Sequence, residues 1–152
     1  MTQLTKARDP VYLIDTNVIS EMRKTSRANP GVQAFFDAAK EEGHRLYLSV
    51  VTVSELRRGV DLIRHRGDKI QALRLEGWLD TIMESFSSQI LTVGSDVAQT
   101  WGHLRVADPG HALDKLIAAT ALIYNLTVVT RNVADFDGTG ARVLNPFQTL
   151  DA

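Results

Sequence analysis

Short apolar runs of high β propensity alternate along this chain with longer stretches whose apolar residues recur every three to four positions. Val11–Ile14 reads as a buried strand ending at Asp15. Thr16 to Lys24 follows as a short helix with Val18, Ile19 and Met22 on one side. Asn29-Pro30 marks a turn and the next helix start, Val32, Phe35, Phe36 and Ala39 give that helix its apolar face, and Gly43 ends it. Leu46–Val51 is the second strand. Thr52-Val53-Ser54-Glu55 matches the capping-box pattern and opens a helix to about Arg64, which Gly67-Asp68 breaks. A longer helix covers Lys69 to Phe86, with Ile70, Leu73, Trp78, Leu79, Ile82 and Met83 as its apolar positions.

Gln89–Val93 is a third strand, and Ser95 or Asp96 caps the helix carrying Val97, Trp101 and Leu104. After the Asp108-Pro109-Gly110 turn, a helix from Leu113 to Tyr124 is apolar almost all round, so it belongs in a core or at a subunit contact. Asn125 suits a left-handed end cap. Val128–Thr130 is the fourth strand, a turn surrounds Ala134-Asp135-Phe136, and Arg142–Leu144 is an edge strand closed by Asn145-Pro146.

Strands alternating with helices predict an α/β fold whose mostly parallel sheet is covered on both faces. Right-handed crossovers place the strand-to-helix junctions along one edge of that sheet, although strand order stays open. A length of 152 residues suits a single domain, here residues 1–152 with 1–10 as a flexible flank.

Composition narrows the function without naming it. A hydrophobic fraction of 44% and a charged fraction of 23% are ordinary for a globular protein and argue against disorder. The absence of cysteine excludes disulfides, thiolate metal sites and a cysteine nucleophile. No apolar run is long enough for a membrane span, and Met1–Pro10 is polar without a signal core, so a cytoplasmic protein is expected. A net charge of −1 predicts no general affinity for nucleic acid. Two basic stretches, Arg23-Lys24 with Arg27, and Arg57 to Lys69, are either solvated helix faces or phosphate contacts.

Four acids, Asp15, Glu55, Asp114 and Asp135, each stand where an apolar run meets the start of a helix-like segment. Each has an ordinary alternative. Asp15 could cap the first helix, Glu55 could be the return arm of the capping box, Asp114 could answer a helix dipole, and Asp135 could act as a turn cap. Jointly they would meet at the carboxyl ends of the strands, where open α/β sheets bind ligands. At ~5 Å and an effective dielectric of ~20, each pair of carboxylates costs about 3 kcal/mol. A hard divalent cation would offset that repulsion, and oxygen donors favour magnesium or manganese over zinc. Asn17 and Thr130, beside the acids at strand ends, could orient a ligand or simply serve turns. His44, His65, His103 and His111 have no zinc-like spacing and are read as structural or exposed.

Leu13-Ile14-Asp15-Thr16-Asn17, Ser54-Glu55, Asp114-Lys115-Leu116-Ile117-Ala118-Ala119-Thr120-Ala121, Thr130-Arg131-Asn132 through Asp135-Phe136, and Asn145-Pro146-Phe147 follow one another in this order. With them the chain resembles the PIN domains, and most of all the VapC-type and FitB-like toxins of bacterial type II toxin–antitoxin systems, from about Val11 to Phe147. The resemblance implies a three-layer sandwich with a five-stranded sheet between helices. It also implies a magnesium- or manganese-dependent endoribonuclease, homodimeric, neutralised by a cognate antitoxin in a higher-order complex that meets DNA only through the antitoxin. Family metal and catalytic positions fall on Asp15, Glu55 and Asp114, with Asp135 the fourth and most variable. Asp15 and Asp114 are expected to hold the ion directly, and Glu55 and Asp135 through water or at a second position. Products are then expected to carry a 5′ phosphate and a 3′ hydroxyl. Lys115 has no family role to inherit and is either a substrate contact or exposed.

Rival readings fare worse. A haloacid-dehalogenase-type phosphatase needs a second acid where Asn17 stands, and a phosphoryl receiver needs paired acids early in the chain, where only Asp9 precedes the first strand. A catalytically weak PIN module acting by RNA or protein binding is the alternative from a different class.

Overall fold

The computed structural model describes residues 10–149, so most of the expected flexible flank lies outside the described residues. Five strands form one all-parallel sheet in the order β3-β2-β1-β4-β5. They are β1 (Val11–Ile14), β2 (Arg45–Ser49), β3 (Ile90–Leu91), β4 (Thr127–Val129) and β5 (Arg142–Leu144). Helices α1 (Thr16–Glu21), α2 (Pro30–Glu42), α3 (Val50–His65), α4 (Lys69–Ser85), α5 (Ser95–Leu104) and α6 (Ala112–Tyr124) connect them. This is the three-layer α/β arrangement expected from the alternating pattern.

The period-2 geometry of the strands divides the core. Leu13 and Val128 face one way and pack with Val97, Ile117 and Phe136. Ile14 and Val129, one residue on, face the other way and pack with Val18, Val32, Leu56, Val60 and Leu79. In α6, every residue from Lys115 to Ala121 is buried. Such a helix cannot present a polar face to water, which explains its near-continuous apolar sequence.

Several boundaries depart from the local pattern. Ser49, not Thr52, caps α3: its hydroxyl accepts from the Val51 amide at 3.0 Å, and Thr52 is fully buried within the helix. The helix therefore starts earlier than the capping-box reading placed it, and β2 ends at Ser49. β3 is only two residues long, and α5 begins after Gly94 without a side-chain cap, Asp96 accepting instead from the adjacent Val97 amide. The first helix stops at Glu21 and gives way to a 3-10 segment, Met22–Arg27, broken at Thr25 with φ 51°. Ile70 and Leu73, expected on the apolar face of α4, are each 71% exposed. Gly43 and Asn125 do terminate α2 and α6 in the left-handed conformation.

Candidate active site

Strand order decides which junctions meet. The chain runs from β1 outward to β2 and β3, then returns to place β4 on the other side of β1. The carboxyl ends of β1 and β4 therefore flank the topological switch point of the sheet. Ile14 pairs with Val129, so the residues that follow, Asp15 and Thr130, emerge side by side.

Asp15 is 5% exposed and held on three sides. Its Oδ1 accepts from the Thr16 amide at 2.8 Å, and its Oδ2 accepts from the Thr130 hydroxyl at 2.8 Å and from Asn17 Nδ2 at 3.3 Å. Asn17 also donates to Thr130 Oγ1 at 3.2 Å and accepts the Arg131 amide at 2.9 Å, so it ties the two strand ends together. Asn17 and Thr130 thus orient Asp15.

Burial pushes the Asp15 carboxyl above the usual carboxylate range, and the nearby charge of Asp135 adds to the rise; bonds from Thr130, Thr16 and Asn17 work against it. Glu55, half-buried on α3, is raised by desolvation and by the charges of Asp15 and Asp114. Asp114, in the first turn of α6, is raised by desolvation and by the charges of Asp15 and Asp135. The structure therefore brings all four sequence-selected acids into one electrostatic cluster, although they come from four separate segments. The Thr16 hydroxyl beside Glu55 is buried without a hydrogen-bond partner.

His111, read from sequence as a bystander, stands against this cluster. Its Nδ1 lies 3.6 Å from Asp114 Oδ2 and 3.8 Å from Asp135 Oδ1. One ligand atom from each of the three residues falls within 4.8 Å of the others. His111 takes the left-handed conformation (φ 52°, ψ 47°) just before α6, and this brings its ring toward Asp114 one turn on. The i, i+3 spacing to Asp114 at a helix start was the signal in the sequence.

Lys115 is neither exposed nor placed to meet a substrate. Only 6% exposed, it donates to the Gly110 carbonyl and lies 3.3 Å from Asp108 Oδ2. It pins the Asp108–Gly110 turn against α6 and so supports the approach of His111. Gly110 and Lys115 hold the Asp108 carboxyl below its ordinary range.

On the far side of the site, Asn29 accepts from the Gly31 and Gln148 amides through Oδ1 and donates to the Gln148 carbonyl. The Arg131 guanidinium lies 4.4 Å from the centre of the Phe147 ring. The Asn145-Pro146-Phe147 segment is thereby anchored beside the start of α2.

The PIN domain description matches residues 12–140. Toxin FitB of Neisseria gonorrhoeae (strain ATCC 700825 / FA 1090) is 38% identical over 144 residues, covering 90% of this chain and 99% of that protein. VapC ribonuclease Y4jK of Sinorhizobium fredii (strain NBRC 101917 / NGR234) is 32% identical, covering 91% and 99%. Among solved structures, FitAB bound to an IR36 DNA fragment superposes with a TM-score of 0.72 at 32% identity, over 92% of this chain and 98% of that one. The chain belongs to the PIN-domain family.

Proposed function

Taking the chain as a PIN-domain protein, we propose that it is a metal-dependent endoribonuclease of the VapC type, a toxin that hydrolyses RNA phosphodiester bonds and is neutralised by a cognate antitoxin. One observation carries this reading: at the switch point of a parallel sheet the buried Asp15 carboxylate lies within charge range of Glu55, Asp114 and Asp135. The names of the relatives, a toxin and a ribonuclease, support the same activity. The solved FitAB structure bound to a DNA fragment and a solved member of the VapBC family of toxin–antitoxin systems support an antitoxin partner, through which DNA would be met indirectly. A homodimer is part of the proposal, and exposed apolar side chains such as Ile70 and Leu73 are consistent with it. Among the described residues no helix is long and apolar enough to cross a membrane.

The donor set fits a magnesium- or manganese-sized dication. It consists of hard carboxylate oxygens, and burial with neighbouring negative charge raises the pKa of Asp15, Glu55 and Asp114. Asp15 and Asp114 would hold the ion, with Glu55 and Asp135 reaching it through water or completing a second position. When bound, such an ion supplies Lewis acidity that lowers the pKa of an attacking water and offsets charge on the phosphate. Thr130 and Asn17 hold Asp15 in one orientation, so little reorganisation is needed on loading. His111, with Nδ1 3.6 Å from Asp114 and 3.8 Å from Asp135, stands on the solvent side of the site. No side chain needs to act as a covalent nucleophile, and the expected products carry a 5′ phosphate and a 3′ hydroxyl.

The test is RNA cleavage by purified wild type and by Asp114→Ala, each with magnesium or manganese, followed by sequencing of the RNA ends. Cleavage is expected from wild type alone. Undiminished cleavage by a contaminant-free Asp114→Ala protein overturns the assignment. A wild type that binds RNA without cutting it under either metal identifies a binding module instead.

A further inference from the structure

Two adjoining cavities, of about 330 Å³ and 320 Å³, run from Glu55 across α3 and α4. They share Arg23, Leu75 and Trp78. Thr16, Glu55 and Arg66 line the inner one, and Lys24, Arg27 and Arg74 the outer one. Building on the nuclease reading, we propose that this cleft is the track along which single-stranded RNA reaches the carboxylates, with the arginines on its phosphates and Trp78 under a base.

The charges in the cleft are unspent. Among the described residues, Arg23, Arg27, Arg66 and Arg74 have no carboxylate oxygen within 4.0 Å, and only Lys24 is paired, with Glu21. Arg57 and Arg64, which the sequence groups with Arg66, are instead tied to Asp61 and Glu76 at 2.7–3.5 Å. Tertiary structure thus sorts the two basic stretches of the sequence. It neutralises Arg57 and Arg64 of one and sets Arg66 on the inner cavity, while Arg23, Lys24 and Arg27 of the other line the outer cavity with Arg74 of α4.

The cleft is also shaped for a nucleic acid strand. The chain breaks at Thr25, and Arg23, Lys24 and Arg27 on either side of the break line the same wall. Arg23 is partly preorganised: its Nε donates to the Ser20 carbonyl at 3.3 Å, and its guanidinium lies 5.8 Å from the centre of the Trp78 ring. Guanidinium groups match phosphate geometry, and half-buried aromatics offer stacking that tolerates any base. RNA is favoured over an acidic protein because the cleft opens onto Glu55. A strand that is to be cut must pass the carboxylates, and the arginines offset the repulsion its phosphates meet there.

The test uses the full-length Asp114→Asn protein, which retains RNA uncut, and a short fluorescently labelled single-stranded RNA. Adding Arg27→Gln with Arg74→Gln is expected to weaken binding about tenfold and to make the dependence of log affinity on log salt shallower by about 1.4. Trp78→Leu is expected to weaken binding about fivefold with the salt dependence unchanged. Lys40→Gln, on the exposed side of α2, leaves binding as it was. Thermal melts verify folding of each variant. Unchanged RNA affinity in the Arg27→Gln/Arg74→Gln protein overturns the track while leaving the nuclease reading intact, and so does loss of binding to polyglutamate alone. Failure of the parent Asp114→Asn protein to bind RNA at all overturns both.

Discussion

The Thr130 hydroxyl donates to Asp15 Oδ2 at 2.8 Å, joining residues 115 positions apart at the ends of the two central strands. This bond lowers the pKa of a carboxyl that burial raises, so it favours the ionised form that a metal needs.

Thr130→Val keeps the shape of the side chain and removes that donor. Cleavage is expected to fall by roughly 10- to 100-fold, and the protein to lose about 1–3 kcal/mol because the buried oxygen is left short of a partner. Thr130→Ser restores most of both. Cleavage rates and denaturant melts of the pair check this, and full activity in Thr130→Val would show that Asp15 does not depend on the bond.

Asp114→Asn is expected to abolish cleavage yet to stabilise the metal-free protein at neutral pH. The sign follows from its raised pKa. The folded state binds the Asp114 proton more tightly than the unfolded chain, so the contribution is favourable at low pH and is lost as pH rises through the folded value. The stability gap between wild type and variant is therefore expected at pH 7 and should close as pH falls toward the ordinary value of 3.8. Saturating magnesium or manganese should reverse the gap at pH 7 by stabilising wild type alone. Parallel melts across pH, with and without metal, measure all of this.

Lys115→Met removes the ammonium that holds the Asp108–Gly110 turn. We expect roughly tenfold slower cleavage and a lower melting temperature, because the turn that delivers His111 loses its anchor to α6. A variant with wild-type activity and a lowered melting temperature would restrict Lys115 to stability.

Gly31→Ala strikes backbone rather than a flexible side chain. A Cβ there would lie 2.2 Å from the Pro146 carbonyl oxygen and 2.7 Å from the Gln148 nitrogen. The expected cost is about 2–4 kcal/mol, larger than for most overpacked positions. Removal of the segment after Asn145 should cancel most of it, which a double comparison of melting temperatures would reveal.

What the sequence determined by itself was local. Alternating apolar runs marked the strands and helices, Gly43 and Asn125 marked helix ends, and the unbroken apolar stretch of α6 marked its burial, because each depends on neighbours within about one turn. Asp15, Glu55, Asp114 and Asp135 were legible because acids recurred at strand-to-helix junctions, which parallel topology confines to one edge. The strand order was decided only in three dimensions. It placed β4 beside β1 and so gave Asp15 its Thr130 partner. Tertiary packing also chose Ser49 over Thr52 as the cap, turned His111 toward two acids, withdrew Lys115 into the protein, and separated paired from unpaired arginines. Those outcomes rest on contacts between residues far apart in the chain, whose energies no local window of sequence contains.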